Sequence, residues 1–575
     1  MSSNRTDSSP GLKREAGVIG LLYASLGAII GSGWLKGPLN AAVHAGPLSL
    51  FSWIIGGVAI LLLAIVYAEL ATLFPRAGAV VHFPRLTHGS LLSRIWSWIL
   101  FLAYVSVAPA EVVASLNYLD VLVKRLSLHW IPPFIYRSAG GANLLTGTGM
   151  IIAIAMLAVF TLLNFLGIKW AMRISNTAGW WKLAVPLLTA IMLLAVGHHW
   201  QNFHINPAES RSQVEGIFTS LSTAGVLFSF LGFRQAVELA GESTNPKRNI
   251  PIAVVGSVLI GLLIYLLLQA GFIASVDPHT LAQTGWAKIT TAGYLAQFGA
   301  APLAAATQAL GLVWLTYILY VDAVISPGGT GFIYITTSAR VISAMGSDHL
   351  IHKVFSKLNR NGVPWVACVL AFLVGIIFLL PLPSWSQLVG YISSVSVLSY
   401  GIGPVVLLSL RKMRPESEYP RPFRLPAARI LAPITFIISN LMIYWSGLKT
   451  LEVLMIALAV IFLAFIAWRL LNGRSLGELA WRSTWWVAPY LLGLVLLDYI
   501  GPHHLVGGIN LMPFPYDTLV VAAFSLGIFY LAVHSSVSIE ELETYIATLS
   551  CRARSSTHTT TPCGLPSASR ASALS

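Results

Sequence analysis

Apolar stretches of about 20 residues recur along this sequence from Gly17 to His534. A stretch of that length crosses a hydrocarbon layer of roughly 30 Å as one α-helix, which satisfies its own backbone hydrogen bonds without water. Charged residues make up only 10% of the chain, against about 25% in soluble domains. The sequence therefore predicts an all-α integral membrane protein.

The apolar windows predict about 14 transmembrane helices. Their approximate bounds are 17–43, 46–73, 90–124, 147–168, 171–196, 216–240, 250–275, 301–345, 364–381, 385–410, 430–449, 451–471, 484–500 and 516–534. The first window is too long for a signal-peptide core and has no small-residue cleavage pattern, so we expect it to remain as the first span. Residues 1–16 precede it, and a tail rich in Ser, Thr, Ala and Arg, 550–575, is expected to be disordered.

The 35 Lys and Arg residues are distributed unevenly between the two sides of the predicted spans. With the N-terminus inside, most of them fall in inward segments, as the positive-inside rule requires. This asymmetry favours an even number of spans with both termini in the cytoplasm, and we expect a multi-pass protein of a cell membrane, of the bacterial inner-membrane type. It also explains the net charge of +14 without a nucleic-acid partner.

Glycines weaken the first span where a membrane helix would otherwise be continuous. The stretch GAIIGSGWLKGP, residues 27–38, contains four glycines, and a second weakened stretch with Gly225 and Gly232 occurs five spans later. Paired discontinuous helices at this spacing are typical of secondary transporters built from two inverted repeats. We therefore predict a five-plus-five inverted-repeat core, 17–410, with discontinuous helices 1 and 6, followed by four accessory spans, 430–534.

The eighth span contains another helix-breaking sequence, DAVISPGGTGFIY, from Asp322 to Tyr334. Pro327 and the two glycines after it disfavour a straight helix. Backbone freed at membrane depth is tolerated only where protein or a water-filled cavity satisfies it. We expect an interrupted eighth helix, with a proline kink that serves packing as the alternative.

The two helix breaks offer complementary groups to a zwitterion. Unwinding at Gly31 to Gly33 frees amides at the start of the second half-helix, where the positive end of the dipole stabilises a carboxylate. The opposing break, around Phe228 to Gly232, would leave carbonyl oxygens for an amino group. The alternative is that the glycines serve close helix packing. The predicted substrate-binding residues are Ile30, Gly31, Ser32, Gly33, Phe228, Ser229, Gly232 and Arg234.

Several sequence blocks carry a family resemblance. GAIIGSGW follows a short basic N-terminus, YAELATLFPRAGA ends the second span and NPKRNIPIAV opens the seventh. Over roughly residues 15–430 the chain resembles the amino acid-polyamine-organocation (APC) superfamily of amino acid transporters. The blocks FSFLGFRQAVELAGESTNPKRNIP, DAVISPGGTGFIY, NGVPWVA and PRPFRLPA, with the four extra spans, are similar to the branch of bacterial aspartate:proton symporters. The resemblance implies alternating access, in which a bundle of spans 1, 2, 6 and 7 rocks against a scaffold.

Ionisable residues inside spans are functional candidates, because each costs about 2.5–3.5 kcal/mol on insertion scales. Lys182 lies among tryptophans and aliphatic residues of the fifth span, where desolvation favours the neutral amine and suits it to loading and releasing protons. In proton-coupled members of the family it resembles, a lysine in the matching stretch takes the place of a sodium ion beside span one. The alternative is an interfacial lysine that snorkels to the surface.

Two acidic residues are the other proton-coupling candidates. Glu111, near the middle of the third span, is expected to carry a proton or to neutralise Lys182, with a purely structural pair as the alternative. Asp322, before the Pro-Gly-Gly sequence, is expected to relay protons or to brace unwound backbone. Glu69, in the YAEL block, is interpreted as structural or as part of an inner gate.

Arg234 follows Gly232 of the sixth span by two residues. A planar guanidinium pairs bidentately with a carboxylate, so Arg234 suits the side chain of aspartate or glutamate. An internal ion pair with Glu238, on the same helical face, is the other interpretation. Lys36 is a departure from the family resemblance, in which that position is apolar, and the selectivity of the outer vestibule therefore stays open. Both cations argue against cationic substrates.

The leading hypothesis is a secondary active transporter, a proton-coupled symporter that imports an acidic amino acid such as aspartate by alternating access. The alternatives are a permease or exchanger for neutral or other amino acids and, more remotely, a transporter-like amino acid sensor. An enzyme is not indicated, because the sequence lacks a nucleophile and base constellation, metal-ligand spacing and a nucleotide-binding loop. No cofactor is implied. The expected partners are the amino acid, protons and the lipid bilayer, and the oligomeric state stays open.

Overall fold

The computed structural model describes residues 16–555, except residues 77, 139–141, 167, 206–209, 349, 381–383, 416–420, 474 and 476–478. The described chain is almost entirely helical, which confirms the predicted fold class. Its one sheet within these residues is an antiparallel hairpin of β1 (Ile135–Arg137) and β2 (Asn143–Leu145), in which Ile135 pairs with Leu145.

Each of the first ten predicted spans contains one or two helices. In chain order the helices of this part are α1 (Val18–Ile29), α2 (Gly33–Ala45), α3 (Ser49–Leu73), α4 (Ala79–Val105), α5 (Val107–Arg125), α6 (Gly147–Asn164), α7 (Ile168–Val196), α8 (Ser210–Thr223), α9 (Gln235–Glu238), α10 (Pro246–Ser275), α11 (Pro278–Thr284), α12 (Gly293–Phe298), α13 (Pro302–Ala309), α14 (Val313–Ser347), α15 (Trp365–Leu379) and α16 (Trp385–Met413). Spans one, three, six and eight each combine two of them, while α11 and α12 lie between spans seven and eight.

The accessory part of the chain contains the remaining helices. They are α17 (Ala428–Tyr444), α18 (Leu448–Leu471), α19 (Trp481–Thr484), α20 (Val487–Ile500), α21 (His503–Val506), α22 (Tyr516–His534) and α23 (Ile539–Ser555). The last of them extends into the tail predicted to be disordered, while residues 556–575 lie outside the described chain. Six short 3₁₀ helices lie among the helices of the first ten spans, within the described residues. They are Gly46–Leu48, Trp200–Phe203, Phe228–Arg234, Ala240–Glu242, Trp286–Thr291 and Lys353–Ser356.

The described helices have the length and composition of membrane spans. Ten of them, or eleven if the bent pair in the sixth span counts as one, are long and apolar enough to cross a bilayer. Shorter apolar helices lie within predicted spans one, nine and eleven. Large apolar side chains face outward from α18, where Ile456 is 64% exposed and Leu463 is 64% exposed, as expected of a surface that meets lipid.

The first and sixth spans are discontinuous, as the glycines predict. Helix α1 gives way at Ile30, whose ψ of 81° is not helical. In the sixth span, α8 and the following 3₁₀ helix with α9 meet at an angle of 45°. The second break lies about a turn before the predicted Phe228–Gly232, because Gly225 adopts a φ of +88° that a side chain would disfavour.

The expected interruption of the eighth span at Pro327 is wrong, since α14 continues through that residue. Proline removes one N–H and so frees the carbonyl four residues earlier, that of Ala323. Ser115 Oγ of the third span donates a hydrogen bond to this oxygen at 2.7 Å, which restores the lost partner. The predicted 301–345 window is divided earlier, where Gly311 has a φ of +74° between α13 and α14.

Helix packing surrounds the break in span one with four other spans. Helix α1 packs against α7, α10 and α14, while α14 packs against α4 and α5. The 3₁₀ helix Phe228–Arg234 packs directly against α1. Polar side chains from these helices can therefore reach the freed backbone groups of span one.

Candidate functional site

The unwound segment of span one exposes a backbone carbonyl at Gly27. The Gly31 N–H donates to Ile29 O at 3.0 Å rather than to Gly27 O, its partner in a regular helix. Thr330 Oγ1 of α14 donates to Gly27 O at 3.0 Å, and Lys182 Nζ of α7 donates both to Gly27 O and, at 2.7 Å, to Thr330 Oγ1. Lys182 is 1% exposed, so it is a buried ammonium beside span one and does not snorkel to the surface.

The N-terminus of α2 holds a carboxylate of the protein itself. The Ser32 N–H donates to Glu111 Oε2 at 2.7 Å, and Glu111 is 1% exposed. Its Oε1 has no hydrogen-bond partner among the described residues. A Cβ at Gly31 would lie 2.4 Å from that oxygen. Glu111 therefore occupies the position that the sequence suggested for a substrate carboxylate.

Asp322 brings a second carboxylate towards the same break. Its Oδ1 accepts from Trp181 Nε1 at 2.8 Å and from Ser326 Oγ at 2.6 Å, and the side chain is fully buried. Trp181, which donates to Asp322, is the chain neighbour of Lys182. The three predicted proton-coupling residues thus come from three different helices. Lys182 and Glu111 contact span one directly, while Asp322 is held next to Lys182 through Trp181.

Tyr265 of α10 connects the two helix breaks. Its hydroxyl lies 2.9 Å from Ile29 O and 3.0 Å from Ser229 O. The Ser229 side chain turns back to its own helix, where Oγ donates to Gly225 O at 2.8 Å. Tyr265 thus ties the backbone of span one to that of span six.

Trp385 of α16 also contacts both breaks. Its Nε1 donates to Ser32 Oγ at 2.9 Å, and its ring packs edge-on against Phe228 with 6.0 Å between centroids. Sequence reasoning missed Trp385 and Tyr265, because aromatic residues are common in apolar helices and no local pattern marks these two. Thr330 lies in the sequence DAVISPGGTGFIY, where a hydroxyl between two glycines was the local signal.

The glycines at the breaks allow close backbone packing. A Cβ at Gly33 would lie 2.2 Å from Ser229 Oγ. At Gly232 it would lie 2.3 Å from Ile29 N and 2.4 Å from Ala28 C. The close-packing interpretation therefore applies to both residues, and Gly232 presents its open side to helix α1.

Arg234 is enclosed by aromatic rings. The distances from its guanidinium carbon to the ring centroids are 4.4 Å (Tyr400), 4.9 Å (Tyr67) and 5.7 Å (Tyr104). One N–H group donates to Ser399 Oγ at 2.8 Å, while Nε and the other terminal nitrogen have no hydrogen-bond partner among the described residues. Glu238 accepts from Tyr104 at 3.0 Å and forms no ion pair with Arg234, so the alternative of a direct Arg234–Glu238 pair is wrong.

Comparison with known proteins gives the family. The sequence profile described as "Amino acid permease" matches residues 17–467. The chain belongs to this family. The relatives of this permease are transporters rather than enzymes, and the predicted superfamily resemblance is confirmed.

Two curated relatives align with nearly the whole permease. The glutamate/serine transporter AimA of Bacillus subtilis (strain 168) is 34% identical over 92% of this chain and 96% of its own. The aspartate-proton symporter of the same organism is 33% identical over 91% of this chain and 97% of its own. Among solved structures, an Eremococcus coleocola manganese transporter is similar in fold, with a TM-score of 0.51 and 12% identity over 94% of this chain and 100% of its own.

A buried ion cluster surrounds Glu69, near the C-terminal end of α3 in the permease. Glu69 is fully buried, and Arg411 of α16 contacts it bidentately, with Nε at 3.0 Å from Oε1 and the terminal nitrogen at 2.6 Å from Oε2. Arg421 lies 2.9 Å from Oε1, and the Leu425 N–H donates to Oε2 at 2.7 Å. The cluster ties span two to span ten and to the segment after it, as expected of a structural or gating residue.

We expect Gly232→Ala to disable the permease. The new Cβ would meet the backbone of α1, which cannot move aside as a flexible side chain can, and overpacking typically costs about 1–3 kcal/mol. Gly20→Ala is the matched control, because a Cβ there meets nothing within 4 Å. Uptake and thermal unfolding of both purified variants check this, and full uptake by Gly232→Ala would contradict it.

Proposed function

We propose that this permease is a proton-coupled symporter that imports an acidic amino acid such as aspartate by alternating access. The observation that carries the proposal is the pair of buried charges at the break in span one. The Lys182 ammonium binds the freed Gly27 carbonyl, and the Glu111 carboxylate binds the freed Ser32 amide. The side chains of Lys182 and Glu111 both change charge when they gain or lose a proton.

Lys182 occupies a site built for a monovalent cation. A backbone carbonyl oxygen and the Thr330 hydroxyl converge on its ammonium, and oxygen ligands of this kind would equally suit a hard metal ion. A covalently attached ammonium that is loaded and unloaded with a proton replaces such an ion. This arrangement favours proton coupling over sodium coupling.

Glu111 links the proton to the substrate. An anion at the start of α2 is stabilised by the helix dipole and by amides without helical partners. As long as Glu111 is ionised it satisfies the Ser32 N–H, so a substrate carboxylate must displace it. Protonation of Glu111 removes its negative charge and frees the Ser32 amide for the substrate. Proton and substrate therefore bind together.

The remaining groups of the substrate have candidate partners at the same place. The amino group would bind backbone carbonyl oxygens at the break in span six, opposite the carboxylate, with Phe228 and Trp385 covering it. The second carboxylate of an acidic substrate requires a cation. Arg234, with two unpaired donors, is the candidate from the sixth span, although the tyrosine rings around it would have to part.

The two relatives support the substrate class. One is named as a glutamate/serine transporter and the other as an aspartate-proton symporter. Serine in the first name keeps a permease for neutral amino acids open as the alternative, and an exchanger would use the same helix breaks. We also propose that both termini face the cytoplasm of a bacterial inner membrane, because of the charge asymmetry of the loops.

The test is uptake of labelled aspartate, glutamate and serine into proteoliposomes that contain the purified full chain. An inward proton gradient and an inward sodium gradient are imposed separately, with protein-free liposomes as the control. We expect the proton gradient alone to drive accumulation of aspartate or glutamate. If serine alone accumulates, the protein is a permease for neutral amino acids. If label enters only liposomes preloaded with amino acid, the protein is an exchanger.

A further inference from the structure

Lys36 is a buried cation that the coupling cluster does not use. It lies on α2 one turn beyond Ser32, where its N–H donates to Ser32 O at 3.3 Å. The residue is 7% exposed. Its Nζ donates to Asn117 Oδ1 at 3.1 Å and lies 5.7 Å from the centroid of a Trp385 ring. Among the described residues, no carboxylate forms an ion pair with it.

The contacts of Lys36 leave most of its charge uncompensated. An ammonium has three donors, and one neutral amide oxygen accepts from it here. Charged side chains inside a membrane protein ordinarily pair with one another or mark the path of a substrate. A chain that keeps a lysine in this position without an internal anion is therefore suited to an anion that arrives from outside the protein.

Asn117 holds the ammonium in a defined place. Its Nδ2 donates to Val113 O at 2.6 Å on the same helix, α5, so its Oδ1 faces Lys36. Trp385 supplies the other side of the site, and an ammonium near an indole ring is attracted by the ring quadrupole. The charge is thus fixed between the third and tenth spans.

The same Trp385 connects Lys36 with the two helix breaks. Its Nε1 contacts Ser32 Oγ and its ring contacts Phe228, both predicted substrate-binding residues. Lys36 and Ser32 are four residues apart along the backbone of α2, a rise of about 6 Å. That spacing matches a small dicarboxylate whose α-carboxylate lies at the start of α2 and whose side-chain carboxylate points along the helix.

We propose that Lys36, positioned by Asn117 over Trp385, binds the side-chain carboxylate of an acidic amino acid substrate. The inference rests on the proposed function and names the residue that selects its substrate class. Lys36 is favoured over Arg234, since three tyrosine rings and Ser399 surround the guanidinium. Lys36 instead lies beside the residues of both breaks.

The experiment compares acidic substrates with their uncharged amides. Uptake of aspartate, glutamate, asparagine and glutamine is measured with wild type, Lys36→Met, Lys36→Arg and, as the matched control, Lys288→Met on an exposed segment. We expect Lys36→Met to raise KM for the acidic substrates at least about tenfold, equal to about 1.4 kcal/mol, and to leave KM for the amides within about twofold. Lys36→Arg should retain the preference, because the cation is kept.

Asn117→Asp provides an independent variant of nearly identical shape. The new carboxylate would neutralise Lys36 from within the protein. We therefore expect it to raise KM for the acidic substrates, as Lys36→Met does, and to leave KM for asparagine and glutamine unchanged. If wild type prefers acidic substrates and both variants keep that preference, the assignment of Lys36 is overturned while the proposed function stands. If wild type itself shows no preference for acidic substrates, the acidic substrate class fails, and with it this inference.

Discussion

Lys182→Met is expected to abolish proton-driven accumulation while leaving a folded protein. The thioether side chain fills a similar volume but cannot donate to Gly27 O or Thr330 Oγ1, the two contacts of the ammonium. Methionine also cannot gain or release a proton. We therefore expect accumulation under an inward proton gradient to fall at least about tenfold, which corresponds to about 1.4 kcal/mol of lost coupling.

Two further measurements separate coupling from folding. The purified Lys182→Met variant should still unfold cooperatively, at a midpoint lowered by the loss of two buried hydrogen bonds. Exchange of internal for external substrate should persist, because exchange does not require proton release at this site. Lys288→Met on an exposed segment controls for the loss of a lysine as such. A variant that still concentrates substrate in response to the proton gradient would show that the proton is carried elsewhere, with Glu111 and Asp322 as the next candidates.

The sequence was sufficient to predict the local weaknesses of the helices. Gly31 and Gly225 mark positions at which spans one and six depart from regular helix, because glycine adopts non-helical backbone conformations more readily than other residues. The burial of Lys182 was also predictable, since the residues on either side are tryptophans and aliphatics. These properties depend on residues near one another in the chain.

The partners of these residues were not predictable, because they come from distant helices. Pro327 was expected to break the eighth span, but Ser115 of the third span donates to the carbonyl that the proline frees. Arg234 was expected to meet a carboxylate, of the substrate or of Glu238, and the structure surrounds it with rings from spans two, three and ten. No pattern within one helix carries this information.

The amides at the start of α2 also have a partner from a distant helix. The sequence correctly indicated that the start of this half-helix suits an anion, which follows from the helix dipole alone. It did not indicate that Glu111, 79 residues from Ser32 in the chain, provides that anion. Under the proposed function, the Glu111 carboxylate and a substrate carboxylate compete for the same amide, and a proton on Glu111 favours the substrate.

Glu69→Gln is expected to be the most destabilising conservative change in the chain. The neutral amide keeps the shape of the side chain but leaves Arg411 and Arg421 without their shared carboxylate. Removing one partner from a buried ion pair costs about 3–5 kcal/mol, because the other charge stays buried and unpaired. We expect a large fall in the thermal midpoint of the purified protein and loss of uptake.

The matched control is Glu543→Gln, which removes the same carboxylate from the exposed pair with Arg414, where Glu543 is 60% exposed. Surface pairs contribute about 0–1 kcal/mol, so this midpoint should barely move. If Glu69→Gln unfolds at the wild-type temperature but has lost uptake, the cluster acts as an inner gate between spans two and ten and not as a structural tie. If Glu69→Gln matches wild type in both the thermal midpoint and uptake, neither the structural role nor the gating role is correct.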